Sequence, residues 1–211
     1  MKCKGLLFDM DGILISSIAS VERCWTKWSQ LHGIHPESAL KIVHGCRAID
    51  TMRKLHPDLD LEKESKILED FEVADQEGVH ALPGVCDLLA ALPEERWTVV
   101  TSATDRLARA RLSAAGIVPP VKMVTGDDVA EGKPNPAPYL AGARKLGFRP
   151  EDCVVFEDAL SGVESGRAAG CTVVATTFTH KASELTGADF LLENLSGVRV
   201  EAGPEGIKLR F

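Results

Sequence analysis

The chain has 211 residues, enough to bury an apolar core without staples and suited to one or two domains. Hydrophobic residues make up 45% and charged residues 26%, which excludes disordered, collagen-like and coiled-coil classes. Lys plus Arg is 24 against 31 for Asp plus Glu; the formal net charge of −7 argues against a nucleic-acid binder or an anionic membrane surface, and at face value against an acidic substrate.

Residues 4–8 read as a short buried strand ending at Asp9-Met10-Asp11-Gly12. Residues 18–32 read as a helix, with Val21, Cys24, Trp25, Trp28 and Leu31 at three- and four-residue spacing. Helical patterns continue over 49–55 and 61–75 with no convincing strand. The pattern changes at Leu82-Pro83-Gly84. A helix at 85–92 leads to a strand at 97–101, and a helix at 106–115 stops at Gly116. A short strand at 121–124 follows, then a helix at 137–146 closed by Gly147 and a strand at 153–156. A helix at 160–169 closed by Gly170 precedes a strand at 171–175. The tail, 196–211, carries Gly197, Gly203, Pro204 and Gly206 between β-like pieces and reads as a hairpin on the sheet.

Alternating helices and strands over 82–176 predict an α/β core, a parallel sheet with helices on both faces. The first strand joins that sheet. Residues 1–16 and 82–211 then form the core, and 17–81 an inserted all-helical cap, hinged near 16–18 and 81–84. No apolar run approaches a membrane span. No secretory leader is read at the N-terminus. The six cysteines form no C-x-x-C pair and read as isolated reduced thiols, which predicts a cytoplasmic protein. His32, His35, His56, His80 and His180 show no ligand spacing and read as surface or loop residues. The chain is read as a monomer.

In open α/β sheets, ligands bind beyond the carboxyl ends of the strands. Asp9 and Asp11 follow the first strand, Thr101 and Ser102 the second, and Glu157 and Asp158 follow Phe156. Lys133 lies in Glu131-Gly132-Lys133-Pro134-Asn135-Pro136. Singly, each reads as well as a cap, a turn residue or a solvated charge. Together, Asp9, Asp11 and Asp158 would repel one another without a cation, and hard oxygen ligands favour Mg²⁺. A carboxylate beside Mg²⁺ can attack phosphorus and form an aspartyl-phosphate. Asp11 could protonate the leaving oxygen and then deprotonate water. Lys133 would neutralise phosphate and hold the nucleophile, and Ser102 could bind phosphate oxygens. Gly126 to Lys133 is no P-loop, because Pro134 stands where Ser or Thr is needed.

Phe8-Asp9-Met10-Asp11-Gly12-Ile13-Leu14 resembles the first motif of the haloacid dehalogenase-like hydrolases. Val99-Val100-Thr101-Ser102 resembles the second, Gly132-Lys133-Pro134-Asn135-Pro136 the third and Val155-Phe156-Glu157-Asp158 the fourth. The resemblance implies a Rossmann-like core with a helical cap, Asp9 as nucleophile and Asp11 as acid/base. It implies Mg²⁺ held by Asp9, the Asp11 carbonyl and Asp158, with Glu157 close by. Ser102 and Ala103, with Lys133 and Asn135, become the residues that bind substrate. The segments 91–97, 101–104 and 44–50 resemble the branch containing 2-deoxyglucose-6-phosphate and glycerol-3-phosphate phosphatases.

A cap would choose the substrate, a small phosphorylated metabolite. His44, Gly45 and Arg47 are its candidate contacts, with Arg47 reaching a phosphate or a sugar hydroxyl. Trp25 and Trp28 lie on an apolar stripe and read first as cap core. The leading expectation is a Mg²⁺-dependent sugar or polyol phosphatase. The alternative is a β-phosphoglucomutase-like phosphomutase, which would share the whole core. Dehalogenation is disfavoured, because Asp11 suits an oxygen leaving group.

Overall fold

The structure is a computed structural model and describes residues 1–211. The chain opens with β1 (Lys2–Cys3), β2 (Gly5–Phe8) and β3 (Ile15–Ser16). Four helices follow: α1 (Ile18–Leu31), α2 (Pro36–Leu40), α3 (Ala48–Leu55) and α4 (Leu61–Ala74). The chain returns through β4 (His80–Ala81), α5 (Val85–Ala90), β5 (Trp97–Val99), α6 (Asp105–Ala114) and α7 (Ala137–Leu146). β6 (Cys153–Glu157), α8 (Leu160–Ala168), β7 (Thr172–Thr176), β8 (Phe190–Leu192), β9 (Arg199–Gly203) and β10 (Gly206–Arg210) complete it.

The central sheet is parallel, in the order β5-β2-β6-β7-β8. Strand side chains alternate between its faces. Leu6, Phe8, Val154, Phe156 and Val174 pack on one face with Val85 and Leu88 of α5 and Ala108 and Leu112 of α6. Leu7, Val155, Val173 and Ala175 pack on the other with Tyr139, Ala143 and Leu146 of α7 and Val163 of α8. Phe8 stacks on Phe156 with ring centroids 4.9 Å apart. Both faces are covered, so β2 and β6 read as unbroken apolar runs. Each fully buried side chain of this kind contributes about 1.5–3 kcal/mol.

The helices α1 to α4 enclose a separate apolar cluster of Cys24, Trp25, Trp28, Ala39, Val43, Met52 and Leu68. The Trp28 indole donates to Glu64 at 3.0 Å, and His32 Nε2 lies 2.8 Å from the same carboxylate oxygen. His32 is therefore a half-buried partner of Glu64, less exposed than the surface position expected. This cluster joins the sheet through the antiparallel ribbon β3–β4, where Ile15 faces Ala81 and Ser16 faces His80.

Two further expectations are corrected. Residues 121–124 are not a strand: only Val124 bridges to Val100, and Val121 is 84% exposed. Pro119 and Pro120 lack the N–H groups that pairing needs. The tail hairpin does not join the central sheet; β9 and β10 form a three-stranded antiparallel sheet with β1. The central sheet ends instead on β8, a three-residue apolar edge strand with Phe190 and Leu191 exposed, which is too short to stand out in the sequence. The six cysteines are all free, as expected. Burial pushes the Cys3 and Cys24 thiols up to about 11 and Cys153 and Cys171 up to about 12, which keeps them unreactive. No helix is long and apolar enough to cross a membrane.

Candidate active site

The carboxyl ends of β2 and β6 bring Asp9, Glu157 and Asp158 together. All three are buried, and each offers an oxygen within 4.8 Å of the others. Asp9 is pinned to the neighbouring strand by its N–H, which donates to the Phe156 carbonyl at 2.9 Å. Gly12 makes the turn possible. Its φ is +84°, and a Cβ there would lie 1.8 Å from Asp158 Oδ2.

Lys133 enters this group from the loop before α7. Its Nζ donates to Asp9 Oδ1 at 2.6 Å, Glu157 Oε1 at 2.7 Å and the Val100 carbonyl at 3.1 Å, which uses all three ammonium protons. Burial pushes the Lys133 ammonium down, but the Asp9 and Glu157 carboxylates outweigh it and hold the group above its ordinary range. It stays charged. Tyr139 also donates to Glu157 Oε1, at 2.6 Å, and Glu157 Oε2 accepts from the N–H groups of Asp158 and Ala159. Both Glu157 oxygens are thus taken, and Glu157 serves to fix Lys133 and the loop.

Burial pushes the Asp9 carboxyl up to about 7 against the pull of Lys133, with Glu157 adding to the rise. Burial, then Glu157 and Asp9, push Asp158 well above its usual range, although Thr179 donates to it. One buried ammonium does not balance this cluster. Its ligands are oxygen alone, so the residues fit a hard divalent cation.

Above the cluster lies a cavity of about 420 Å³ lined by both the sheet loops and the helices α1, α3 and α4. Asp9, Asp11, Asp158, Ser102 and Ala103 reach it from below. His44, Gly45 and Arg47 reach it from above. Burial holds His44 below its usual range, so it is neutral. The Ser102 hydroxyl donates to the Gly45 carbonyl at 3.0 Å, and Ser161 donates to the same oxygen at 3.4 Å. Gly45 has φ +74°, and a Cβ there would approach Ala159 and Ser161 to 2.7 Å. Only glycine brings that carbonyl to the sheet loops.

Several sequence expectations need revision here. Lys133 and Glu157 do not line the cavity but stand behind Asp9. Asn135 is not among the residues that line the cavity. Its Oδ1 accepts from the Ala137 N–H at 2.9 Å and its amide donates to Glu131, so its side chain closes the turn that leads into α7. The Ala103 N–H is engaged by Thr101 Oγ1 at 3.1 Å. Arg47 lines the cavity with three of its five N–H groups engaged: Nε and Nη2 hold Asp50 at 2.7 and 3.2 Å, and Nη1 donates to the Val129 carbonyl at 3.0 Å. It fastens the helical layer to the loop beyond α6. Trp25 and Trp28 are core as expected, though Trp25 also borders the cavity.

Sequence reading missed Ser17, Glu72 and Arg111. The Ser17 hydroxyl, placed to cap α1, donates instead to Asp11. Arg111 donates to Asp11 and to Glu72. A signal for Arg111 existed: Leu107, Ala108, Arg111 and Leu112 form one helical stripe, and all are buried.

A sequence profile of the haloacid dehalogenase-like hydrolases matches residues 6–176. The chain is 42% identical over 211 residues to hexitol phosphatase A of Escherichia coli, covering 98% of both. It is 35% identical over 215 residues to glycerol-1-phosphate phosphohydrolase 1 of Saccharomyces cerevisiae, covering 95% of this chain and 86% of that one. A crystal structure of a hydrolase from Pseudomonas syringae superposes with a TM-score of 0.81 at 26% identity, covering 92% of this chain and 94% of that one. The profile spans all four strand-end motifs, and the superposition spans the sheet and the inserted helices alike. The chain belongs to the haloacid dehalogenase-like hydrolase family.

Proposed function

We propose that this hydrolase is a Mg²⁺-dependent phosphatase for small sugar or polyol phosphates, working through a phosphorylated Asp9. The observation that carries the reading is the Lys133 clamp on Asp9 and Glu157, with Asp158 beside them at the floor of a cavity. Residues 17–81 act as the cap and residues 1–16 and 82–211 as the catalytic core. Free thiols throughout suit a reducing, cytoplasmic setting.

Asp9, Asp158 and the Asp11 carbonyl would hold Mg²⁺, which when bound offsets the negative charge of the carboxylates and the phosphate. An Asp9 oxygen attacks phosphorus while the ester P–O bond breaks. Asp11 gives its proton to the departing oxygen. Asp11 then takes a proton from water as the water oxygen attacks phosphorus. The bond from phosphorus to Asp9 breaks, inorganic phosphate leaves, and the Asp9 carboxylate is restored. Lys133 steadies Asp9 and the charge on the transferring group throughout. Ser102 exchanges the Gly45 carbonyl for a phosphate oxygen.

The names of the relatives, hexitol phosphatase and glycerol-1-phosphate phosphohydrolase, support a polyol leaving group. Glu62, Glu69 and Glu72 of α4 border the cavity and suit hydroxyl donors better than a second phosphate. A phosphomutase must hold a bisphosphate, and three of the five Arg47 N–H groups are already given to Asp50 and Val129. Hydrolysis is therefore favoured over isomerisation.

A phosphate-release panel of hexitol, glycerol, hexose and 2-deoxyhexose monophosphates tests the reading, with isomerised sugar phosphate measured alongside. The expected result is phosphate from polyol or sugar monophosphates and no isomer. Isomer in excess of phosphate, or no phosphate from any member, overturns it. The metal is tested by melting. Mg²⁺ at about 100 times its dissociation constant adds about 2.7 kcal/mol of stability. For a chain of this size that raises the melting temperature by roughly 5–11 °C. Asp158→Asn should abolish the rise; a wild-type protein that melts alike with Mg²⁺ and with chelator contradicts the site.

A further inference from the structure

Arg111 is an odd residue for its place. It sits in the buried stripe of α6, between Leu107, Ala108 and Leu112, with its side chain only 4% exposed. Its Nη1 lies 3.2 Å from both Asp11 oxygens, and Nη2 donates to Glu72 Oε1 at 3.0 Å. Its Nε is buried with no partner at all. Burying a guanidinium and orphaning one N–H works against stability, and an apolar side chain in this stripe would serve packing better. The arrangement calls for another explanation.

The partners supply it. Asp11 belongs to the loop after β2, Glu72 to α4 of the helical layer, and Arg111 to the helix that follows the Ser102 loop. The same helix region holds α4 by other contacts: Arg106 donates to Glu69 at 2.9 Å, and Thr104 donates to Glu69. Glu72 thus reaches Arg111 only when α4 is docked on α6. We propose that Arg111 is a positioning residue that aims the Asp11 carboxyl at the leaving oxygen, and that Glu72 holds it there when the cap is closed. The inference rests on the reading of Asp11 as general acid.

The test separates positioning from packing by leaving group. A polyol oxygen needs a proton to depart, whereas p-nitrophenolate does not. kcat/KM reports only the steps up to the first transfer, so the later use of Asp11 as base does not enter it. Arg111→Met should lower kcat/KM for a polyol phosphate about a hundredfold, the size of a lost general acid, and change that for p-nitrophenyl phosphate little. Arg111→Lys should recover part of the loss. Glu72→Gln should show the same split in smaller measure, and stands in if Arg111→Met does not fold. Equal losses on both esters, or no loss on either, overturn the proposal. Asp11→Asn serves as the reference. If it shows the split and the Arg111 and Glu72 variants do not, only this inference fails. If Asp11→Asn itself loses both esters equally, the acid assignment and this inference fall together.

Discussion

Asp9→Asn leaves a folded protein that releases essentially no phosphate. The expected fall in turnover is about 10⁴-fold or more, the scale seen when a covalent nucleophile is removed. Asparagine keeps the shape of the side chain and can still accept from Lys133. Its amide oxygen is neutral and forms no stable phosphoryl ester. Stability should hardly suffer. Burial and the neighbouring carboxylates already push Asp9 up to about 7, so its surroundings resist the ionised form that asparagine dispenses with. Without metal, the variant should melt within a few degrees of the wild type. Circular dichroism melting and phosphate release, on one preparation, check both halves. Turnover within tenfold of the wild type would remove Asp9 from the chemistry.

Lys133→Met has the largest expected effect on stability. Methionine fills the stem of the lysine and deletes the ammonium. Asp9 and Glu157 then face each other, and Asp158, with no counter-charge inside the protein. Breaking a buried ion pair from one side costs about 3–5 kcal/mol. At 2–4 °C per kcal/mol, the melting temperature should drop by roughly 6–20 °C. Mg²⁺ should return part of that, because a divalent cation among the carboxylates supplies the missing charge. Turnover should stay low even when melting is restored, because Lys133 also steadies the transferring phosphoryl group. An unchanged melting curve without metal would mean that the clamp carries no stability, and that the carboxylates shed their charge by another route.

The sheet is legible in the sequence wherever it is buried on both sides. Leu6-Leu7-Phe8 and Val154-Val155-Phe156 are unbroken apolar runs, and both are strands. The glycines after α7 and α8 mark helix ends, with φ +80° at Gly147 and +85° at Gly170. The reading fails at the edges. Phe190–Leu192 is a strand with its first two side chains exposed, and its apolar run between Asp189 and Glu193 is only three residues long. Residues 121–124 carry the signal without the strand, because an apolar residue such as Val121 can simply stand in water.

The site divides the same way. Asp9 and Asp158 converge because each follows a strand of one sheet, and Lys133 joins them from the loop before α7. Side-chain partners are harder to foresee. Arg47 stands three residues before Asp50, at the N-terminal boundary of α3, and pairs with it there. Asn135 bonds the backbone two residues on and shapes the turn into α7, a common use of asparagine in such a loop. Arg111 reads as one of several surface arginines until its register with Leu107 and Leu112 is counted. The net charge of −7 misleads about substrate for a related reason. Asp9, Glu157 and Asp158 contribute to it and converge at one buried point, where the proposed Mg²⁺ would reverse the local field.

The phosphoryl group itself gives the most direct test. The wild-type protein is mixed with Mg²⁺ and the best polyol phosphate from the panel, quenched in acid within one turnover, digested and analysed by mass spectrometry. The expected result is a phosphoryl group on Asp9, absent from Asp9→Asn and accumulating in Asp11→Asn if water attack is slowed. Rapid phosphate release with no phosphorylated Asp9 at any quench time would contradict the account.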